Sequence, residues 1–312
     1  MIPFVREIEF EYGRCDQVSP LIQRVICRNP GPFTYTGTGT YIVGRATAGA
    51  EVCVIDPGPD DPVHQAALVA ALEGRRVSHI LVTHTHSDHS PLARPLAALT
   101  GAVVLGARPP AAETHASVLA ADAGDARTEE GDDDAFQPDV VLTGGELIRA
   151  TGWTLEAIAT PGHASNHLCF ALVEENALFS GDHVMGWSTT VVAPPDGDMS
   201  DYMTSLDAVI TRDFATLWPT HGAPVTDPAP FLDAYRAHRM AREGQVIERL
   251  AVGDRRIAEM IPRLYAAVDE RLWPAASLSI LAHLQKLVRD GRVRAEPDTT
   301  MGARFSPIAD SR

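Results

Sequence analysis

Three histidines and an aspartate fall within six consecutive residues, His84-Thr85-His86-Ser87-Asp88-His89, and no other stretch restricts the fold as strongly. An apolar run at residues 77–82 precedes them and reads as a buried strand, and a helix is predicted over about residues 90–99. On extended backbone residues i and i+2 point the same way, so His84 and His86 can grip one cation. Asp88 and His89 leave the turn toward the helix and can reach a second cation nearby. Neutral imidazole together with carboxylate suits zinc or another first-row divalent metal. The bland alternative is a polar surface loop. It is disfavoured because α/β sheets carry their sites beyond the carboxyl ends of strands.

Three later segments repeat the sequence of strand, turn and ligand-type side chain. Residues 155–159 lead into Thr160-Pro161-Gly162-His163, residues 177–180 into Gly181-Asp182-His183, and residues 215–218 into Pro219-Thr220-His221-Gly222. Gly or Pro shapes the turn each time. Further strands are predicted at residues 22–27, 41–43, 52–55 and 103–105, the third ending at Asp56-Pro57-Gly58.

Taken in order, the early Asp-x-Gly turn, HxHxDH, PGH, GD and THG resemble the metallo-β-lactamase-fold superfamily over about residues 35–222. The resemblance implies an α/β fold, a four-layer αββα sandwich with metals at one edge of its two sheets. It implies His84, His86 and His163 on one metal, Asp88, His89 and His221 on a second, and Asp182 bridging them. Asp56 would orient ligands by hydrogen bonding, a role that tunes metal sites. The implied cofactor is two zinc ions per chain, with iron or manganese as alternatives that ligand type does not separate. Two such ions bring the pKa of a shared water toward neutrality. Metal-assisted hydrolysis is therefore expected, with Asp88 as a catalytic residue that aims the attacking oxygen.

The chain has twelve histidines, and the implied ligand set uses five. His167 is a second catalytic candidate, as a substrate contact or a proton donor to the leaving group. A histidine bonded to backbone is the equal alternative. His183 is expected to pack locally, and His64, His79, His115, His238 and His283 to be structural or exposed. Trp187, soon after Asp182, is a candidate substrate wall or core residue. The acidic run Glu129-Glu130-Gly131-Asp132-Asp133-Asp134 reads as a solvated loop. Cys15, Cys27, Cys53 and Cys169 form no CxxC pair and read as reduced thiols.

Composition shifts after Gly222. Residues 236–312 carry 14 Lys and Arg against 10 Asp and Glu, net +4, which leaves 12 against 31, net −19, for residues 1–235. Helices are predicted at about residues 228–250, 256–268 and 276–288, then a turn at Asp290-Gly291 and a short strand at 292–296. Helices followed by a small wing resemble a winged-helix module. The expected division is a catalytic domain at 1–227 and a helical and winged-helix-like region at 228–312.

That order of domains resembles the lactamase-beta-two-like subgroup, which includes single-stranded RNA endonucleases and polyketide thioesterases. Many of its members carry a large or basic residue where Ser87 stands, and a Gly pair where Pro91-Leu92 stands. The first expectation is hydrolysis of a small ester, thioester or lactone. Single-stranded RNA cleavage is the second, because an acidic body repels a polyanion. An iron-dependent redox role comes third, since the full ligand set argues against it. No run reaches the roughly 18 apolar residues of a membrane span, and the start lacks a signal-peptide pattern, so a cytoplasmic setting is expected.

Overall fold

The computed structural model describes residues 1–110 and 131–308. His115, Glu129 and Glu130 lie outside the described residues. The first sheet runs in chain order through β1 (Cys15–Gln17), β2 (Ile22–Ile26), β3 (Gly39–Val43), β4 (Glu51–Ile55), β5 (Arg76–Leu81), β6 (Val103–Gly106) and β7 (Val140–Val141). Pairing is antiparallel from β1 to β4 and parallel from β4 to β7. The second sheet has the order β12-β11-β10-β9-β8, from β8 (Leu147–Ala150), β9 (Trp153–Ala159), β10 (Leu168–Leu172), β11 (Ala177–Gly181) and β12 (Thr216–Pro219). Only its β11–β12 pair is parallel.

Side-chain alternation along these strands produces the layers. Tyr41, Val43, Cys53, Ile55 and Leu81 of the first sheet meet Trp153, Leu155, Phe170, Phe179 and Trp218 of the second in one core between the sheets. The alternate residues, Ile42, Val52, Val54 and Ile80, face outward and are covered by α1 (Pro62–Ala71) and α2 (Ala93–Thr100) through Leu68 and Leu96. On the far side Cys169, Ala171, Leu178 and Leu217 are covered by α3 (Met199–Ile210) and by the start of α4 (Pro228–Ala251). The result is a four-layer αββα sandwich.

Predicted and observed elements differ at instructive places. α2 starts at Ala93 rather than near residue 90. Ser90 is held in a turn by its hydroxyl bond to Asp133 (2.7 Å), and the Leu92 N–H donates to Gly58 O. The predicted helix over 256–268 is shorter, α5 (Ile257–Leu264), and contains Pro262, which lacks the N–H a helix interior needs. α6 (Trp273–Arg289) starts earlier than predicted, with Pro274 in its first turn, where a missing N–H costs nothing.

β13 (Val293–Glu296) and β14 (Arg304–Pro307) form an antiparallel wing. α4 serves two cores. Phe231, Leu232 and Tyr235 pack with the second sheet and α3, whereas Val246 and Leu250 pack with Ile261, Ile280, Leu284 and Phe305. Among the described residues no helix is long and apolar enough to cross a membrane.

Candidate metal centre

β9 and β11 run the same way because both are antiparallel to β10, and β12 is parallel to β11. Their carboxyl ends therefore share one edge with those of β4 and β5. Asp56 follows β4, His84 to His89 follow β5, His163 follows β9, Asp182 follows β11 and His221 follows β12. Local sequence fits each turn. At Gly162 (φ +138°) a Cβ would sit 2.3 Å from the Tyr202 backbone, so the turn carrying His163 can lie directly against α3. At Gly181 (φ +51°) a Cβ would come 2.6 Å from His167 Nε2.

The seven ligand candidates converge. His84, His86 and His163 form one group, Asp88, His89 and His221 a second, and His84, His89 and Asp182 a third, with the ligand atoms of each group within 4.8 Å of one another. His84 Nε2 and His86 Nδ1 are 2.9 Å apart. Asp88 Oδ2 lies 3.1 Å from His221 Nε2 and 3.5 Å from His89 Nε2. Asp182 stands between the two sides. Its Oδ1 is 3.8 Å from His89 Nε2, and its Oδ2 is 3.4 Å from His221 Nε2 and 4.0 Å from His163 Nε2.

Outer contacts fix how these rings face. Asp56, fully buried and at φ +48°, accepts from Thr83 N and Oγ1 (both 2.8 Å), from Thr220 Oγ1 (2.9 Å) and from His89 Nδ1 (2.8 Å). His163 Nδ1 donates to Val191 O (2.7 Å), which leaves Nε2 facing the cluster. His86 turns Nε2 toward Asp132 Oδ1 at 3.6 Å. The acidic run is thus not simply solvated, because Asp132 approaches a ligand candidate and Asp133 accepts from Ser90.

Electrostatics separate the two sides. Burial, reinforced by neighbouring imidazoles, holds His84 well below its ordinary pKa and pushes His86 down to about 3. Burial also works against charge on His89 and His221, but the carboxylates outweigh it. Asp88, Asp56 and Asp182 lift His89 to about 9, and Asp182 and Asp88 lift His221 well above its usual value. Burial disfavours the charge of Asp88, yet His89 and His221 bring it down to about 2, and Asp182 is lowered in the same way. One group of imidazoles thus adjoins a second group of imidazoles and carboxylates, where an arriving cation would displace the protons that the carboxylates favour on His89 and His221.

His167 does not have the freedom of a proton donor. Its Nδ1 bonds Thr160 Oγ1 (2.8 Å), and its Nε2 accepts the backbone N–H of Asp182 (3.1 Å). The geometry is that of a histidine bonded to backbone, holding Asp182 in place. Trp187 is half-buried and stacks on Tyr35, with ring centroids 4.7 Å apart and planes 10° apart, beside the Gly222 turn that follows His221. His183 is buried and tilted against Tyr202. His64 is buried on Thr40 Oγ1, and His283 is buried in α6.

Three residues gave no motif signal. Asn166, buried, donates to Thr85 Oγ1 (2.8 Å) and so joins the His163 turn to the His84–His86 turn. Tyr235 and Arg239 of α4 reach the loop after Asp182. Only their helical spacing, four residues apart on an otherwise apolar face, would have pointed inward.

A two-sheet sandwich with histidines and aspartates gathered at its strand ends defines a metal-dependent hydrolase. The chain belongs to the metallo-beta-lactamase superfamily, whose family profile matches residues 38–221, and a beta-lactamase associated winged helix domain matches residues 257–302. The Lactamase-like protein aptB of Emericella nidulans is 30% identical over 327 residues, covering 97% of this chain and 96% of that protein. An atrochrysone carboxyl ACP thioesterase of Aspergillus chevalieri is 31% identical over 291 residues, covering 90% of this chain and 85% of that protein. The crystal structure of a beta-lactamase domain protein from Burkholderia ambifaria shares the fold, with a TM-score of 0.76 at 21% identity, covering 98% of this chain and 97% of that one.

Proposed function

We propose that this protein is a two-zinc hydrolase of acyl substrates, thioesters foremost, with esters and lactones in the same class. The observation that carries this reading is the place of Asp182, within 4.0 Å of His163 on one side and 3.4 Å of His221 on the other. The donors fit zinc. His89 Nε2 and Asp182 Oδ1 are buried without hydrogen-bond partners, and they face each other in a set of imidazoles and carboxylates. His84, His86 and His163 would hold one ion, Asp88, His89 and His221 the other, and Asp182 both. When bound, two zinc ions supply a Lewis acid for the substrate carbonyl and bring the pKa of water toward neutrality.

The chain supplies the rest. Asp88, beside His221 and His89, would accept a hydrogen bond from the attacking oxygen and aim it at the carbonyl. Asp56 and Val191 O hold His89 and His163 with Nε2 directed inward. Trp187 stacked on Tyr35 would form a wall beside His221.

His167 then helps to choose the substrate. With both ring nitrogens bonded it cannot protonate a leaving group. A thiolate, whose conjugate acid has a pKa of about 8.5, departs more readily without that help than the more basic alkoxide of an ester or lactone, so thioesters are favoured within the class. The thioesterase name of a relative points the same way.

Single-stranded RNA is the second reading, suggested by the winged helix and its net positive charge. The structure weakens it, because many of those cations are paired at home. Arg249 bonds Asp254, Lys286 bonds Glu243, Arg289 bonds Asp198 and Arg292 bonds Glu243. The test is a panel of simple acyl thioesters, lactones and single-stranded RNA at low salt with zinc-loaded protein. Thioester turnover that disappears in Asp182→Ala is expected. Inert thioesters together with RNA cleavage that depends on Asp182 would overturn the assignment.

A further inference from the structure

Arg239 is 4% exposed, and no ion pair to a carboxylate is found for it among the described residues. A buried cation without a counter-charge is costly, so its local contacts have to compensate. Its guanidinium lies over the rings of Tyr202 (4.8 Å) and Tyr235 (5.7 Å), and its Nη2 donates to the backbone oxygen of Thr190.

Thr190 is the hub of the loop that leaves Asp182. Its N–H donates to Tyr235 Oη (2.5 Å), and its hydroxyl donates to Asp182 O (2.8 Å). Tyr202 Oη donates to His183 O (2.7 Å), and Tyr235 Oη donates to Ser188 O (3.2 Å). The next residue, Val191, accepts the Nδ1 proton of His163. One short segment, anchored at Thr190, therefore fixes the backbone of Asp182 and the tautomer and facing of His163. α4 and α3 grip that segment from behind, and the far half of α4 lies in the C-terminal core.

We infer, on the metal-site reading above, that α4 ties the C-terminal region to the metal centre and that Arg239 is a positioning residue for Asp182 and His163. Arginine suits the task for a physical reason. A planar guanidinium can stack on two tyrosines and still donate in-plane to a carbonyl, whereas an apolar residue of similar length leaves Thr190 O buried without its donor.

The test uses full-length protein and the variants Arg239→Met, Arg239→Lys and Tyr235→Phe. Tyr235→Phe keeps the ring under Arg239 and removes only the hydroxyl that meets Thr190 and Ser188, so it serves even where Arg239→Met folds poorly. Zinc affinity is measured by competition with a chromophoric chelator, and the absorption spectrum of cobalt-substituted protein is recorded beside the melting temperature. Losing a partner of this outer kind lowers metal affinity by about 10–100-fold. A drop of that size with an altered cobalt spectrum is expected in the folded variants, with partial recovery in Arg239→Lys. Wild-type affinity and spectrum in Tyr235→Phe, whatever its melting temperature, would overturn the inference. Failure of the wild-type protein itself to bind zinc would instead overturn the metal-site reading on which it rests.

Discussion

Asp56 Oδ2 accepts the Nδ1 proton of His89 at 2.8 Å, and the same carboxylate also receives Thr83 and Thr220. One buried side chain thereby joins the ends of β4 and β5 and the turn carrying His221. It also decides that His89 presents Nε2 to Asp88 and Asp182.

Asp56→Asn removes the acceptor for one of these donors. We expect zinc affinity to fall by about 10–100-fold and stability by about 1–3 kcal/mol, the cost of a buried donor left unpaired. Chelator competition and denaturant titration measure the two effects. An unchanged affinity would show that His89 needs no such support.

His167→Asn tests the assignment of His167 as a support of Asp182 rather than a proton donor. The variant should lose turnover by a similar factor for thioesters of acidic aryl thiols and of less acidic alkyl thiols. A proton donor would behave otherwise. A loss confined to the poorer leaving groups would return His167 to the chemistry.

Asp198 caps α3, accepting from Ser200 N and Asp201 N, and its other oxygen meets Arg289 of α6. Asp198→Ala should cost about 1 kcal/mol for the lost cap, plus the smaller worth of a partly exposed ion pair. Burial disfavours the Asp198 charge, but Arg289 and the two N–H groups win and lower its pKa. A lowered carboxylate pKa contributes stability above its unfolded value, and that contribution fades as pH falls through the folded value. The difference between wild type and variant in urea should therefore hold at pH 7 and shrink below about pH 4, the unfolded value. A gap that widened on acidification would contradict this.

Much of the candidate site was legible in the sequence because its candidate ligands sit in short turns after strands, where spacing alone brings them to one edge. His84, His86, Asp88 and His89 are of this kind. Asp182 and His221 became visible through the apolar runs before them. Other features depend on contacts between distant segments. Nothing near Asp132 announces His86, since the two are far apart in the chain and meet only in the folded structure. Arg239 lies 57 positions after Asp182 in the chain, and its role follows from where α4 packs. The fate of His167 was open in sequence, as Thr160 faces it across the β9–β10 connection and its other partner, Asp182, belongs to a later turn. Helix ends were the least legible, with Ser90 and Pro262 moving them by tertiary bonding and by a missing N–H.

Cys27, Cys53 and Cys169 are buried and Cys15 is half-buried, and no disulfide joins them among the described residues. Burial pushes Cys53 upward and Cys169 to about 12, and it also raises Cys15. A thiol-disulfide reagent at pH 8 should leave the three buried cysteines unmodified in native protein, react slowly with Cys15, and titrate all four after unfolding. Fast native labelling of Cys53 or Cys169 would contradict the buried thiols described here.

On the proposed function, two metal ions held by the seven converging side chains would support acyl hydrolysis. The most direct test is to strip the protein with chelator and add zinc back stepwise, following bound metal and thioester turnover together. Saturation at about two equivalents per chain is expected, as a two-metal site requires, with turnover rising alongside and abolished in Asp182→Ala. Saturation at one equivalent with full activity, or turnover that survives chelation, would contradict it.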